Sequence, residues 1–217
     1  MFQNAAFNVS GASRQLRNLF LPGLALVFAV AALETVRADE GVTKTTKSSD
    51  ETTEKKPQTP AKAVADKKAN DAPGTDLLKN ELTKDWKHFS SKDSAALASV
   101  WQMNGAGDDK QLICVGEPQG FLYTRKQYSD FELTFEWKVP DANANSGVLI
   151  YTQDEPRLWP TSMQVQLHQP QAGDIFPSGD AEGNTTQAPP KLSNEVGKWN
   201  KCRIVSINGQ ILSLIHI

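Results

Sequence analysis

The chain has 217 residues, a formal net charge of −2 and 39% hydrophobic residues. This length and composition fit one folded domain with appended segments. Because neither basic nor acidic side chains are in strong excess, the composition does not suggest nucleic acid as a partner.

The first 38 residues are typical of a secretory signal peptide. Arg14 and Arg17 precede an apolar run over residues 19–33, and residues 36–38 offer the small side chains that a signal peptidase accepts. The alternative is an uncleaved membrane anchor, although the run is shorter than the ~20 residues that a spanning helix needs. In both cases the rest of the chain is expected to be periplasmic or extracellular, with no membrane contact except through this segment.

Residues 39–75 are expected to form a disordered linker. The tract is rich in Lys, Thr, Glu, Ser, Ala and Pro, mixes charges of both signs and contains no aromatic residue. Such a composition buries too little apolar surface to offset the loss of chain entropy. The folded domain is therefore predicted to begin near Asp76.

Short strand-like runs with turn signals between them dominate the domain. The alternation of apolar and polar residues, or the enrichment in β-branched and aromatic residues, predicts strands over residues 111–115, 120–124, 131–139, 148–153, 163–168 and 202–207. One short helix is expected over residues 94–100. This pattern predicts an all-β fold, an antiparallel β-sandwich or barrel.

The clearest period-two pattern lies in "FELTFEWKV", residues 131–139. Phe131, Leu133, Phe135 and Trp137 fall on one side, whereas Glu132 and Glu136 fall on the other. The turn formers of "PDANANSG" follow and then a second apolar run, so we expect these two runs to form a β-hairpin.

Cys114 and Cys202 both fall in predicted strands of an exported domain. An oxidising environment permits a disulfide, but two buried free thiols are equally compatible with the sequence because strand adjacency is not readable from it. Neither cysteine has the spacing of a metal site. No cofactor is predicted, and the sequence leaves a divalent metal open.

The order of several motifs resembles the 3-keto-disaccharide hydrolase domain family, a concanavalin A-like jelly roll common in exported bacterial proteins. The matching pieces are "LLKNELTKDWKHF", "SVWQMNGAGDDKQLICVGEPQGFLYTRKQYSDFELTFEWKV", "NANSGVLIY", "WPTSMQVQLHQPQAGDI" and "VGKWNKCRIVSINGQ". Together they span most of residues 76–211. The resemblance implies two antiparallel sheets packed face to face, with a groove on one outer face.

The resemblance also implies a carbohydrate ligand, an oxidised glycoside, and the groove residues that would bind it. In "SMQVQLH", Gln164, Gln166 and His168 alternate with apolar residues, and such a polar stripe suits a sugar. Asn145 and Tyr151 join the two glutamines as expected substrate-binding residues. The chemistry expected of the family needs a proton-transfer group, for which the candidates are His168, Glu136 and Asp174.

The chain departs from the family at two positions. Many members carry glutamate at the position of Gln164 and arginine at the position of Tyr151. Glutamine cannot transfer a proton, although it still forms hydrogen bonds. Two hypotheses therefore remain: an enzyme that cleaves 3-keto-glycosides by elimination and hydration, and a non-catalytic, lectin-like binding domain. An interaction module tethered at the cell surface is a third, weaker option.

The last residues, "LSLIHI", match the translation of a transposon end that is used in sequencing libraries. We expect residues 212–217 to be an adapter artefact and the return strand of the domain to be truncated near Ile211. Asn208-Gly209, just before this tail, is a strong signal for a two-residue hairpin turn.

Overall fold

A computed structural model describes residues 5–8, 16–17, 27–31, 74–153 and 156–216. The predicted linker lies outside these residues apart from its last two, and the predicted signal peptide is described only at three short strands. Both remain predictions. In the described residues no helix is long and apolar enough to cross a membrane.

Two antiparallel β-sheets make up the fold, as the sequence predicts. Neighbouring strands of the first sheet, sheet A, are in order β13 (Gln210–Ile215), β12 (Asn200–Ile207), β8 (Asp130–Lys138), β1 (Ala5–Asn8), β6 (Gln111–Cys114) and β5 (Trp101–Asn104). The two-residue strand β2 (Leu16–Arg17) also pairs with β8.

The second sheet, sheet B, has six strands. Their order is β11 (Ile175–Ser178), β10 (Ser162–Gln166), β9 (Asn145–Ile150), β3 (Val27–Ala31), β7 (Gly120–Thr124) and β4 (Trp86–Ser90). Two four-residue helices, α1 (Leu82–Asp85) and α2 (Leu97–Val100), and a 3₁₀ turn at Gly107–Asp109 lie in the connections.

The core lies between the sheets, and β8 shows how the sequence builds it. Phe131, Leu133, Phe135 and Trp137 are all buried, whereas the residues between them are half-buried on the outer face. The buried side chains pack in one cluster with residues of sheet B such as Val148. Each such side chain contributes roughly 1.5–3 kcal/mol through burial.

The expected hairpin between β8 and β9 is wrong. The two strands belong to different sheets, so the residues between Lys138 and Asn145 cross from one sheet to the other instead of reversing within one. The predicted turn itself is present, because the Asp141 side chain accepts a hydrogen bond from the Asn143 amide at 2.7 Å. Turn composition does not determine which strands pair, since that depends on contacts distant in sequence.

The predicted turn at Asn208-Gly209 is confirmed. Both residues have positive φ, 50° and 76°, and Ile207 pairs with Gln210 across the turn. This is the two-residue hairpin that Asn-Gly favours. Residues 212–215 continue the pairing in β13; the adapter origin of residues 212–217 remains a prediction, because an apolar β-forming segment pairs whatever its origin.

Three strands of the domain were not predicted: β4, β5 and β11. Each has only four or five residues, too few to show a clear period in the sequence. The predicted helix over residues 94–100 shrinks to α2.

Cys114 and Cys202 are free, buried thiols. They lie in sheet A on β6 and β12, three strand spacings apart. That separation is about 14 Å, roughly twice the longest Cα distance that a disulfide spans. Of the two alternatives that the sequence left open, the structure has the free thiols.

Candidate functional site

The polar stripe of "SMQVQLH" faces away from the core, on the outer face of sheet B. Val165 and Leu167 are fully buried in the core cluster. Because side chains alternate along a strand, Gln164, Gln166 and His168 point to the opposite side. The structure thus confirms the alternation that the sequence shows.

Three neighbouring strands bring further candidates to the same face. Gln166 lies opposite Gly147 of β9. The Leu167 amide donates to the Ser146 carbonyl at 2.9 Å, so the antiparallel pairing continues by one residue and His168 lies opposite Asn145. On the other side, the Gln166 amide donates to the Asp174 carbonyl at 2.9 Å. Five predicted residues therefore gather here, and we call them the amide site: Asn145, Gln164, Gln166, His168 and Asp174.

The side chain of Gln166 is held in one orientation. Its Oε1 accepts hydrogen bonds from the backbone amides of Leu167 at 3.1 Å and His168 at 3.3 Å, and from Gln164 Nε2 at 3.4 Å. Both glutamines are only 7% exposed, so their amides need partners inside the protein. With Oε1 occupied, Nε2 of Gln166 is the group that remains to donate to a ligand.

His168 is half-buried, and its tautomer is set by the chain reversal before β9. Its Nδ1 lies 3.1 Å from the Ala144 carbonyl oxygen. A carbonyl only accepts, so Nδ1 carries the proton and Nε2 keeps its lone pair in the neutral ring. No residue of the described chain is hydrogen-bonded to Nε2, which suits this nitrogen to take a proton from a ligand.

Asp174 supports the loop beside the site. Its Oδ1 accepts from the Ala188 amide at 2.7 Å, and its own amide donates to the Gln171 carbonyl at 3.0 Å. The side chain is half-buried. One carboxylate oxygen of Asp174 thus holds the segment at Ala188, and the other oxygen is not engaged by that bond.

Aromatic side chains occupy the far half of the same outer face, beyond β3. Phe89 and Phe121 stack with ring centroids 5.1 Å apart, and Tyr123 meets Phe121 edge-on at 5.9 Å. Leu149 of β9 packs with them. The outer face of sheet B therefore has a polar half, the amide site, and an apolar half.

Glu136 does not belong to the amide site, which corrects the expectation that it acts beside His168. It alternates with Phe135 and Trp137, which are buried between the sheets, so Glu136 lies on the outer face of sheet A. Its Cα partner in β12 is Lys201. The whole thickness of the sandwich separates it from Gln166.

Tyr151 also lies outside the amide site, which corrects its predicted role in substrate binding. Its hydroxyl lies 2.5 Å from the Ser206 hydroxyl on β12, so the side chain links the two sheets at one end of the sandwich. Burial raises the pKa of Tyr151. The hydrogen bond with Ser206 lowers this pKa, and the negative charge of Asp130 raises it further. A positive φ of 57° ends β9 here and explains why the predicted strand stops short of residue 153.

The clearest ion pair of the two sheets also lies away from the site. Arg203 donates to both carboxylate oxygens of Glu132, at 2.8 and 2.9 Å, on the outer face of sheet A. Hydrogen bonding to Glu132 raises the pKa of Arg203. Among the described residues no group of three or more His, Cys, Asp or Glu side chains is arranged to hold a metal ion.

A family model described as the 3-keto-alpha-glucoside-1,2-lyase-like domain matches residues 75–215. The chain belongs to this family. The match contains all five residues of the amide site and confirms the resemblance that the motifs indicate. No curated protein and no solved structure matches the chain.

Two contributions to the site in this 3-keto-alpha-glucoside-1,2-lyase-like domain were not predicted. One is the Ala144 carbonyl, which sets the His168 tautomer and which no side-chain pattern could reveal. The other is the lack of a side chain at Gly147, whose Cβ would stand 2.7 Å from Gln164 Nε2. The sequence held a weak signal for the second, because a glycine inside a strand marks a close approach.

Proposed function

We propose that the domain is an exported enzyme that cleaves the glycosidic bond of 3-keto-glycosides. The observation that carries the proposal is the placement of His168: its Nδ1 lies 3.1 Å from the Ala144 carbonyl oxygen, so Nε2 keeps the lone pair of the neutral ring, and the strand register puts the residue on the face that bears Gln164 and Gln166. Membership of the 3-keto-alpha-glucoside-1,2-lyase-like family supports the choice of substrate.

The reaction begins at the sugar carbon next to the ketone. The C3 ketone acidifies the C2 hydrogen, and His168 Nε2 takes that proton while the electron pair forms an enolate on the C3 oxygen. Donors placed at this oxygen stabilise the charge, and the Gln166 amide nitrogen has the fixed orientation that such a donor needs. The enolate then reforms the ketone, a C1–C2 double bond appears and the C1 glycosidic oxygen leaves.

The second half of the reaction returns the protons. The imidazolium of His168 donates a proton to the leaving oxygen. Water then adds across the C1–C2 double bond, with its hydroxyl at C1 and its hydrogen at C2. Asn145 and the second oxygen of Asp174 serve to hold sugar hydroxyls in this scheme. No oxidant or reductant is consumed.

A non-catalytic carbohydrate-binding domain is the second candidate, and one observation favours it. Gln164 stands where many family members carry glutamate, and of the described carboxylates Asp174 alone shares the amide site, with one of its oxygens holding the Ala188 amide. The face would then bind the sugar through Asn145, Gln164 and Gln166 without a step of proton transfer.

The test is to incubate the purified chain with 3-keto-trehalose or 3-keto-lactose, follow released sugar, and measure binding in parallel. We expect turnover, and a loss of about 10²- to 10⁴-fold in rate in His168→Ala. Glu136→Gln is the matched control, because it changes a half-buried polar residue of the opposite face and should leave the rate unchanged.

Binding by the native chain without any sugar release would overturn the enzyme and favour the binding domain. In that case Gln166→Ala should weaken binding. An equal loss of rate in His168→Ala and Glu136→Gln would place the chemistry outside the amide site.

A further inference from the structure

An aromatic side chain lies directly beside the amide site, on the outer face of sheet B. Phe176 is the Cα partner of Gln164 in the pairing of β10 with β11. The residue before it, Ile175, is buried in the core cluster, so Phe176 points to the opposite side, the face that bears Gln164. Phe176 is half-buried and therefore remains partly accessible to a ligand.

The residues that pair with the two glutamines on this face differ in chemical character. On β9, Gln166 lies opposite Gly147 and Gln164 lies opposite Leu149, whereas on β11 Gln164 lies opposite Phe176. Among these paired residues Phe176 is the aromatic one. Residues directly opposite in an antiparallel pair have Cα atoms about 4.5–5.5 Å apart, so the ring of Phe176 and the amide of Gln164 can contact the same bound group.

The backbone next to Phe176 is held on both of its edges. On one edge Ile175 pairs with Val165 of β10. On the other edge the Ile175 amide donates to the Thr186 carbonyl at 2.9 Å, and the Thr186 amide donates to the Ile175 carbonyl at 2.8 Å. Because the strand is fixed in this way, a ligand that binds against Phe176 does not have to order the backbone first, which would cost affinity.

The order of residues along the site strand relates Phe176 to the proposed reaction. His168, Gln166 and Gln164 follow one another at two-residue intervals, each about 7 Å further along the face. In the proposed reaction the ketone-bearing ring contacts His168 and Gln166, because these residues take the C2 proton and stabilise the enolate. Gln164 and Phe176 lie one step further on, where the next group of the substrate, the leaving group on C1, can reach them.

We propose that Phe176 is the stacking platform for the leaving-group ring of the substrate, an inference that rests on the proposed function. A pyranose has C–H groups on its faces and hydroxyls at its rim, which suits an aromatic face beside an amide. Gln164 Nε2 donates to Gln166 Oε1 at 3.4 Å, so Gln164 Oε1 is the atom that accepts from a hydroxyl at the rim. The domain therefore selects glycosides whose leaving group is itself a sugar ring over glycosides with a small leaving group.

Two substrates that share the ketone-bearing ring and differ in the leaving group test this platform. 3-Keto-trehalose releases glucose, whereas methyl 3-keto-α-glucoside releases methanol. We expect Phe176→Ala to lower kcat/KM for 3-keto-trehalose roughly 3- to 10-fold, the effect of one lost aromatic contact, and to leave kcat/KM for the methyl glycoside unchanged. Each variant is compared with the native chain on the same substrate, which removes the intrinsic difference between the two leaving groups.

Three further variants separate stacking from burial and from the fold. Phe176→Leu keeps an apolar side chain without a flat ring and should show the same loss as Phe176→Ala, whereas Phe176→Tyr keeps the ring and should behave as the native chain. Phe89→Ala is the matched control. Phe89 is also a half-buried phenylalanine on an edge strand of sheet B, but it lies on β4 at the other edge, so its removal should change kcat/KM for neither substrate.

The platform is overturned by an unchanged kcat/KM for 3-keto-trehalose in Phe176→Ala or Phe176→Leu, by an equal loss with both substrates, or by an equal loss in Phe89→Ala. If the native chain releases sugar or methanol from neither substrate, the proposed enzyme fails, and calorimetric titration with the same two compounds then decides about the platform. A weaker affinity of Phe176→Ala for 3-keto-trehalose alone supports it, and equal affinities of the native chain and the variant overturn it.

Discussion

The position of Gln164 depends on the absence of a side chain at Gly147. A Cβ at Gly147 would lie 2.7 Å from Gln164 Nε2 and 2.9 Å from both its Cδ and its Cγ. No ordinary side-chain contact is that short, so any larger residue at this position would displace Gln164 from its place beside Gln166. The glycine thus acts by leaving room for the amide.

We expect Gly147→Ala to weaken ligand binding roughly 3- to 10-fold, the effect of one lost hydrogen bond, with little change in far-UV circular dichroism. Calorimetric titration with a 3-keto-glycoside measures it. Gly183→Ala is the control, because its Cβ would meet only the Met163 side chain, the sulfur at 3.5 Å and the terminal methyl at 3.8 Å, both ordinary contacts. Equal affinities of the two variants would show that the Gln164 position does not matter for binding.

At the scale of elements, β8 is joined to the site strand by a hydrogen bond across the core. Trp137 is fully buried and its Nε1 donates to the Leu167 carbonyl at 3.1 Å. Leu167 precedes His168 and follows the last residue of β10. The packing of sheet A therefore helps to fix where His168 lies, although β8 contributes no residue to the amide site.

Trp137→Phe should lower the free energy of unfolding by roughly 2–4 kcal/mol, because it leaves a cavity and an unpaired buried carbonyl. Urea denaturation measures this loss. We also expect lower turnover of a 3-keto-glycoside, since the backbone next to His168 loses its support.

Trp86→Phe separates these two effects. Trp86 is equally buried, and its Nε1 donates to the Leu77 carbonyl at 2.9 Å, far along the chain from His168. Trp86→Phe should lower the free energy of unfolding by a similar amount and leave the turnover of a 3-keto-glycoside unchanged. If both variants keep full turnover, the cross-core hydrogen bond does not position the histidine.

At the scale of the whole molecule, four weakly acidic side chains, three buried and one half-buried, couple the free energy of unfolding to alkaline pH. Burial raises the pKa of the Cys114 and Cys202 thiols from 9.0 to about 12, and it also raises the pKa of Tyr128 and Tyr151 above 10.0. A group whose pKa is higher in the folded state holds its proton there while the unfolded chain has lost it. Its stabilising effect is complete below the unfolded pKa and is lost as the pH rises toward the folded one.

The free energy of unfolding should therefore fall between about pH 9 and pH 12, by an amount on the order of a few kcal/mol. Urea denaturation at a series of pH values measures the slope. Cys114→Val with Cys202→Val should make the slope shallower over this range, and an unchanged slope in the double variant would assign the dependence to other groups.

The sequence by itself determined the local features of this protein. Alternation in residues 131–139 established the buried face of β8, alternation in "SMQVQLH" put Gln164, Gln166 and His168 on one face, and Asn208-Gly209 specified its turn. These features depend on residues two to four positions apart, so the chain carries them without reference to the rest of the fold. The family motifs added the all-β sandwich, which the two sheets confirm.

Only the tertiary structure decided which strands pair, and with them which candidates meet. It sent β8 and β9 to different sheets, put Glu136 on the outer face of sheet A, and turned Tyr151 toward Ser206. It also brought Asp174 beside Gln166 and placed β1 and β3 inside the sheets. Strand pairing depends on burial and backbone hydrogen bonds between residues that are far apart in the chain. A local sequence pattern therefore does not determine it.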